Sequence, residues 1–134
     1  MADTFENMET PISWKVLMVL GSQTPFRRLM TAIEAAGHEV VSTANQFHGV
    51  TLVDEIRPDI VLLDADNLES QRTCSRIRDM ANTPIALIGP EAPETAWEEA
   101  VEAGADAYIS VFTDPAEVIA TAGAILRRYR TTFR

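Results

Sequence analysis

One lysine, one cysteine and two histidines are all that 134 residues contain of those three types. Each scarcity removes a class of chemistry. The single cysteine, Cys74, permits no internal disulfide, so a packed core has to supply stability and a reducing cytoplasm is the expected compartment. His38 and His48 stand alone, without cysteine or carboxylate neighbours at ligand spacing, so no metal site is expected. Positive charge is scarce as well. Eleven basic residues face twenty acidic ones, a net charge of −9, which argues against contact between this chain and nucleic acid or an anionic membrane. No apolar run approaches the roughly 20 residues that span a bilayer. The N-terminus also lacks the basic-then-apolar order of a signal peptide.

What is present is a chain with 46% hydrophobic residues, enough for one domain with a real core. Its centre is PDIVLLD at 58–64: four consecutive apolar residues between Pro58 and a run of acids, the pattern of a short strand buried on both faces. Asp64 falls where that strand stops, and open α/β sheets place their chemistry at the carboxyl ends of parallel strands. Around it, strands and helices alternate. Residues 1–13 hold acids and Pro11 without periodicity and read as a flexible arm. A strand over 14–20 (WKVLMVL) leads through a turn to a helix that Thr24 can cap and Pro25 can open; its apolar positions are Phe26, Leu29, Met30, Ile33 and Ala36, and Gly37 stops it. A strand over 39–43 follows. Asn45 then opens a helix carrying Val50, Val53 and Ile56, weakened by Gly49 in its interior.

After Asp64, a helix over 70–80 turns Cys74, Ile77 and Met80 or Ala81 inward and Arg72, Arg76 and Arg78 largely outward. The segment PIALI at 84–88 is a fourth strand, ended by Gly89 and Pro90. Pro93 opens a fourth helix through Trp97, Ala100 and Val101 to Gly104, and AYISV at 107–111 is a fifth strand. Asp114, Pro115 and Glu117 are a start signal for a last helix reaching about Arg130. Five strands alternating with five helices predict an α/β domain over 14–130, with right-handed crossovers, helices on both faces and flavodoxin-like parallel strand order 2-1-3-4-5.

PDIVLLD, TPIALI for the fourth strand, and AGADAYIS with Asp114–Pro115 around the fifth, in that order and spacing, resemble the receiver domain of bacterial response regulators. The resemblance covers nearly everything from Lys15 to Arg130. It implies that Asp64 occupies the phosphoacceptor position. Adjacent Mg²⁺-binding acids of the family fall on Leu20 and Gly21, its hydroxyl residue on Gly89, and its lysine on Val111. Phosphoryl transfer works by positioning and by neutralising charge on the equatorial oxygens. None of these supporting groups is present, and the chain's one lysine is Lys15. The expected crevice, lined by Leu20, Gly21, Ser22, Gly89 and Val111, is degenerate, and Asp64 is vestigial. Its local role is to cap the turn that follows. Arg72 is the one candidate replacement cation. Tyr108 matches the family's switch aromatic and is expected as a packed side chain, and Cys74 as core.

The reading that follows is a non-enzymatic, cofactor-free receiver-like module that regulates signalling or transcription without phosphate, through dimerisation or partner docking. Two alternatives remain: a small-ligand sensor using the same crevice, and an atypical phosphoacceptor using Asp64. The expected partner face lies on the fourth helix, fifth strand and fifth helix. There Glu94, Glu98 and Glu102 form an acidic stripe, Ala116, Ala120 and Ala124 a small-residue ridge beside Gly123, and Arg127 and Arg128 a basic end. A two-fold dimer makes such contacts reciprocal. Residues 131–134 read as a tail or the start of a linker, to an effector domain if one follows.

Overall fold

The structure, a computed structural model, describes residues 13–20, 24–66 and 69–133. The expected arm up to residue 12 and the crevice positions Gly21 and Ser22 lie outside the described residues. Elements follow in the order β1 (Lys15–Val19), α1 (Thr24–Ala35), β2 (Glu39–Thr43), α2 (Gln46–Ile56), β3 (Ile60–Asp64), α3 (Ser70–Met80), β4 (Ile85–Gly89), α4 (Pro93–Glu102), β5 (Ala107–Ser110) and α5 (Pro115–Phe133). The strands form one parallel sheet in the order 2-1-3-4-5, as expected.

Local signals account for the boundaries. Asn45 caps α2, its Oδ1 accepting the His48 N–H at 3.1 Å. Asp114 caps α5 in the same way through the Ala116 N–H at 2.9 Å, with Pro115 at the first position. Gly37 and Gly104 adopt φ of 97° and 98° after α1 and α4, a region that costs glycine nothing.

Every residue of β3 and β4 is buried, so both sheet faces carry core. Period-two alternation divides the strand side chains. Val16, Met18, Leu20, Ile60, Leu62 and Ile88 pack beneath α1 and α5, against Phe26, Leu29, Val118 and Leu126. Leu17, Val19, Val61, Leu63 and Leu87 pack beneath α2, α3 and α4, against Val53, Cys74, Ile77 and Ala100. Gly49 reads differently in the fold than in the sequence. A Cβ there would lie 2.7 Å from a methyl of Val19, so the glycine lets α2 settle onto β1.

At the amino edge of the sheet two cations, Lys15 and Arg78, are engaged. The Lys15 ammonium donates to the Ile56 carbonyl at 3.3 Å, and the Lys15 backbone N–H to the Asp59 carboxylate at 2.7 Å. Arg78 does not turn outward as expected. It is half-buried, its Nε donating to the Gly104 carbonyl and its Nη2 pairing with Asp106 at 2.8 Å. The same Asp106 carboxylate accepts the Ile85 N–H and the Tyr129 hydroxyl, joining α3, β4 and α5. Burial and the Asp106 carboxylate push the Tyr129 phenol up to about 12. Inward packing at the end of α3 falls to Ala81, while Met80 is exposed.

Trp14 closes the α1–α5 side. Its indole stacks on His38 with centroids 3.9 Å apart and lies against Gly123. Gly123 is therefore buried beneath Trp14 and is no part of an exposed ridge, although a Cβ there would meet the indole only at ordinary contact distance, 3.5 Å.

Two expectations follow. Alanine surpasses glycine in a helix interior by about 1 kcal/mol, whereas overpacking costs about 1–3 kcal/mol. Gly49→Ala should therefore lower stability by about 1 kcal/mol in urea unfolding, and a stabilised variant would refute the close-approach argument. The second concerns His38, whose Nδ1 accepts the Trp14 N–H at 3.0 Å and so must be unprotonated. Burial lowers its pKa below the ordinary value of 6.5. The unfolded chain then binds the proton more readily than the folded one. His38 stabilises the fold fully above pH 6.5, and this contribution is lost as pH falls from there through the lower folded value. The stability difference between wild type and His38→Gln should shrink between pH 7.5 and 5.5, measured by chemical unfolding; a constant difference counts against it.

Candidate functional site

Parallel pairing brings the carboxyl ends of β3, β4 and β5 together, and three of the expected site residues meet there. Asp64, Gly89 and Val111 line one crevice of about 320 Å³ with Phe26, Asp66, Pro90 and Phe112. Asp64 is 2% exposed and ends β3 opposite Ile88. Its Oδ1 accepts the Asp66 N–H at 2.9 Å, the turn-capping role expected from the sequence.

Leu20 does not line the crevice. It continues the Val16, Met18, Leu20 alternation, is 1% exposed and packs into the α1–α5 core. Its residue type was the signal: an apolar side chain in register with a buried face follows that face. Phe26, Asp66, Pro90 and Phe112 were missed as crevice residues. Asp66 follows from the tight turn at Asp64, while Phe26 and Phe112 come from helix and loop positions that only the packing of α1 against α5 brings near. Arg72 lies elsewhere, in a groove between α2 and α3. Arg28 lines an adjoining cleft with Ser110 and Asp114. Among the described residues no cation lines the Asp64 crevice itself.

Gly89 and Tyr108 explain one another. A Cβ on residue 89 would fall 2.5 Å from the Tyr108 hydroxyl oxygen and 2.9 Å from the Ala65 Cβ. The missing side chain is thus the slot into which the phenol fits. Tyr108 is buried, and its hydroxyl accepts the Glu91 N–H at 3.0 Å. Burial raises its pKa above 10, with the Glu91 N–H pulling the other way. The hydroxyl at the end of β4 is therefore supplied by β5, and it is engaged with the β4–α4 turn.

Mg²⁺ takes a near-octahedral set of oxygen ligands, usually one or two carboxylates with waters and phosphate. The adjacent acids that the resemblance expects for it are replaced by Leu20 and Gly21. The described part of the crevice offers the carboxylates of Asp64 and Asp66, and Leu20 is apolar and turned into the core. Among the described residues no three His, Cys, Asp or Glu side chains cluster as metal ligands. Cys74 is wholly buried, and burial pushes its thiol up to about 11, so it carries no thiolate at neutral pH. No described helix is long and apolar enough to cross a membrane.

The fold is that of CheY-like receiver domains, and sequence relatives and structural neighbours both support a response-regulator receiver domain. The chain is 28% identical over 120 residues to the phosphate regulon transcriptional regulatory protein PhoB of Pseudomonas aeruginosa, covering 85% of this chain and 52% of that protein. It is 33% identical over 100 residues to the transcriptional regulatory protein CseB of Streptomyces avermitilis, covering 73% of this chain and 43% of that protein. The chain thus spans about half the length of these curated relatives. A crystal structure of a CheY-like receiver domain protein from Methanospirillum hungatei superposes with a TM-score of 0.80 at 17% identity, over 90% of this chain and 98% of that one. No protein-family model matches.

The slot at Gly89 yields a direct test. Gly89→Ala should expel the Tyr108 hydroxyl, speed amide exchange at Glu91, and cost about 1–3 kcal/mol, the usual range for overpacking. Tyr108→Phe should speed exchange at Glu91 while leaving the ring in place. Unchanged Glu91 exchange in both variants would show that the phenol is not held there.

Proposed function

We propose that this chain is a receiver-like signalling module that acts without accepting a phosphoryl group, through self-association and partner docking. The observation that carries the reading is the filled slot at Gly89. Where the resemblance expects a hydroxyl free to follow a phosphoryl group, the Tyr108 hydroxyl occupies the space and is bound to the Glu91 N–H. The crevice supports the same reading, because Val111 and Leu20 stand where lysine and acid are expected. A phosphoryl group on Asp64 would meet no neutralising cation among the described lining residues.

Self-association through α4, β5 and α5 is supported by surface chemistry. Trp97 and Val101 are 46% and 47% exposed among the acidic side chains Glu94, Glu98 and Glu102. Ala116 and Ala120 are exposed and Ala124 half-buried on α5, which carries exposed Arg127 and Arg128 further on. Opposite charges on the two helices register a reciprocal pairing. Output passes to an effector domain or a separate regulatory protein, as the names of the transcriptional regulators PhoB and CseB invite. A second reading, a crevice that senses a small ligand, is favoured by the apolar contribution of Phe26, Val111 and Phe112 to its lining.

One experiment addresses association and phosphate together. Light scattering on wild type, with and without a small-molecule phosphodonor and Mg²⁺, should give the same dimer, with no phosphoryl adduct by intact mass. Ala120→Glu should be monomeric at the same concentration. A phosphoryl adduct absent from Asp64→Asn, or a wild type that is monomeric at high concentration, overturns the reading.

A further inference from the structure

The groove between α2 and α3 is about 410 Å³, larger than the Asp64 crevice, and none of its chemistry is used by the reading above. From α2 it takes Gln46, Phe47 and Val50; from α3 it takes Arg72, Thr73 and Arg76. The spacings place these residues to face one another: Phe47 and Val50 are three apart on one helix, and Arg72 and Arg76 four apart on the other. In a chain with net charge −9 this groove holds two guanidinium groups to one carboxylate, that of Glu69.

Three observations distinguish it from ordinary solvated surface. Phe47 is 71% exposed, one of the largest apolar exposures among the described residues, and the Arg76 guanidinium lies 5.6 Å over its ring. An exposed aromatic joined to arginine is the composition of a binding anchor, since both residue types are enriched where interfaces derive their energy. The Thr73 hydroxyl donates to Gln46 Oε1, which fixes the amide. Gln46 Nε2 is then buried without a partner, the only such side-chain atom found among the described residues.

We infer that the α2–α3 groove is a docking site for an acidic segment of a partner protein, one that presents carboxylates beside a bulky apolar side chain. Carboxylates pair with Arg72 and Arg76, in the bidentate geometry that guanidinium favours. The apolar side chain packs on Phe47 and Val50. Charge complementarity selects the occupant. The groove lining carries two guanidinium groups to one carboxylate, a local positive excess in a chain of net charge −9. An acidic segment therefore pairs here and a basic one is repelled. The site is separate from the α4–β5–α5 face, so its success or failure is independent of dimerisation.

The probe is the synthetic peptide acetyl-GDEEFEDG-amide, which is no segment of this chain, titrated into the full ¹⁵N-labelled chain. Saturable amide shifts are expected at 46, 47, 50, 72, 73 and 76, at least fivefold weaker with 0.5 M salt because the contacts are charged and exposed. The same peptide with every glutamate replaced by glutamine should bind at least fivefold more weakly. Arg72→Gln and Arg76→Gln should each weaken binding severalfold and together abolish it; these side chains are exposed, so the variants fold. Phe47→Ala should weaken the peptide but leave its salt dependence intact. No shifts at millimolar peptide, shifts centred on other elements, or equal affinity for the glutamine peptide would each overturn the proposal.

Discussion

Strand β3 has no polar face, and its neighbour β4 has none either. A strand buried on both sides obliges helices to cover both, and parallel pairing then obliges each connection to cross over one face. The two-layer cover of α1 with α5, and of α2 with α3 and α4, follows from that constraint. So does the placement of chemistry. With both faces and the central strands closed to water, polar side chains gather at the two ends of the sheet. The same pressure explains Gly49, whose helix must approach β1 closely enough to seal Val19.

The two ends are electrically unlike. At the amino edge Lys15 is bound to the end of α2, and Arg78 is held by Asp106 and Gly104. Tyr129 joins the same carboxylate. At the carboxyl edge the described crevice has carboxylates, aromatics and a valine but no cation. A domain with receiver architecture has thus committed its only lysine to architecture at the far end of the sheet. The slot at Gly89 completes the contrast, because the residue that supplies a hydroxyl there is an aromatic from the next strand, held in place by a turn N–H.

Other arginines lie on the outer helices. Arg72 and Arg76 flank an exposed phenylalanine between α2 and α3, and Arg127 and Arg128 end the exposed side of α5. Acidic side chains of α4 stand around Trp97 and Val101. Charge and exposed apolar area therefore coincide on these helix faces.

The sequence by itself determined the order of elements, the strand order and the helix starts at Asn45 and Asp114, because these depend on local periodicity and on caps that lie within three residues of what they bind. It also determined that no lysine reaches the crevice, which is a matter of counting. Tertiary structure alone decided the rest. Arg78 turned inward because Asp106, 28 positions away, waits beside it. Gly123 proved to lie beneath Trp14, and Gly89 to be a slot for Tyr108. In each case the partner is distant in sequence, and a glycine or arginine carries no mark of what it will meet. Only packing brings the partner to it.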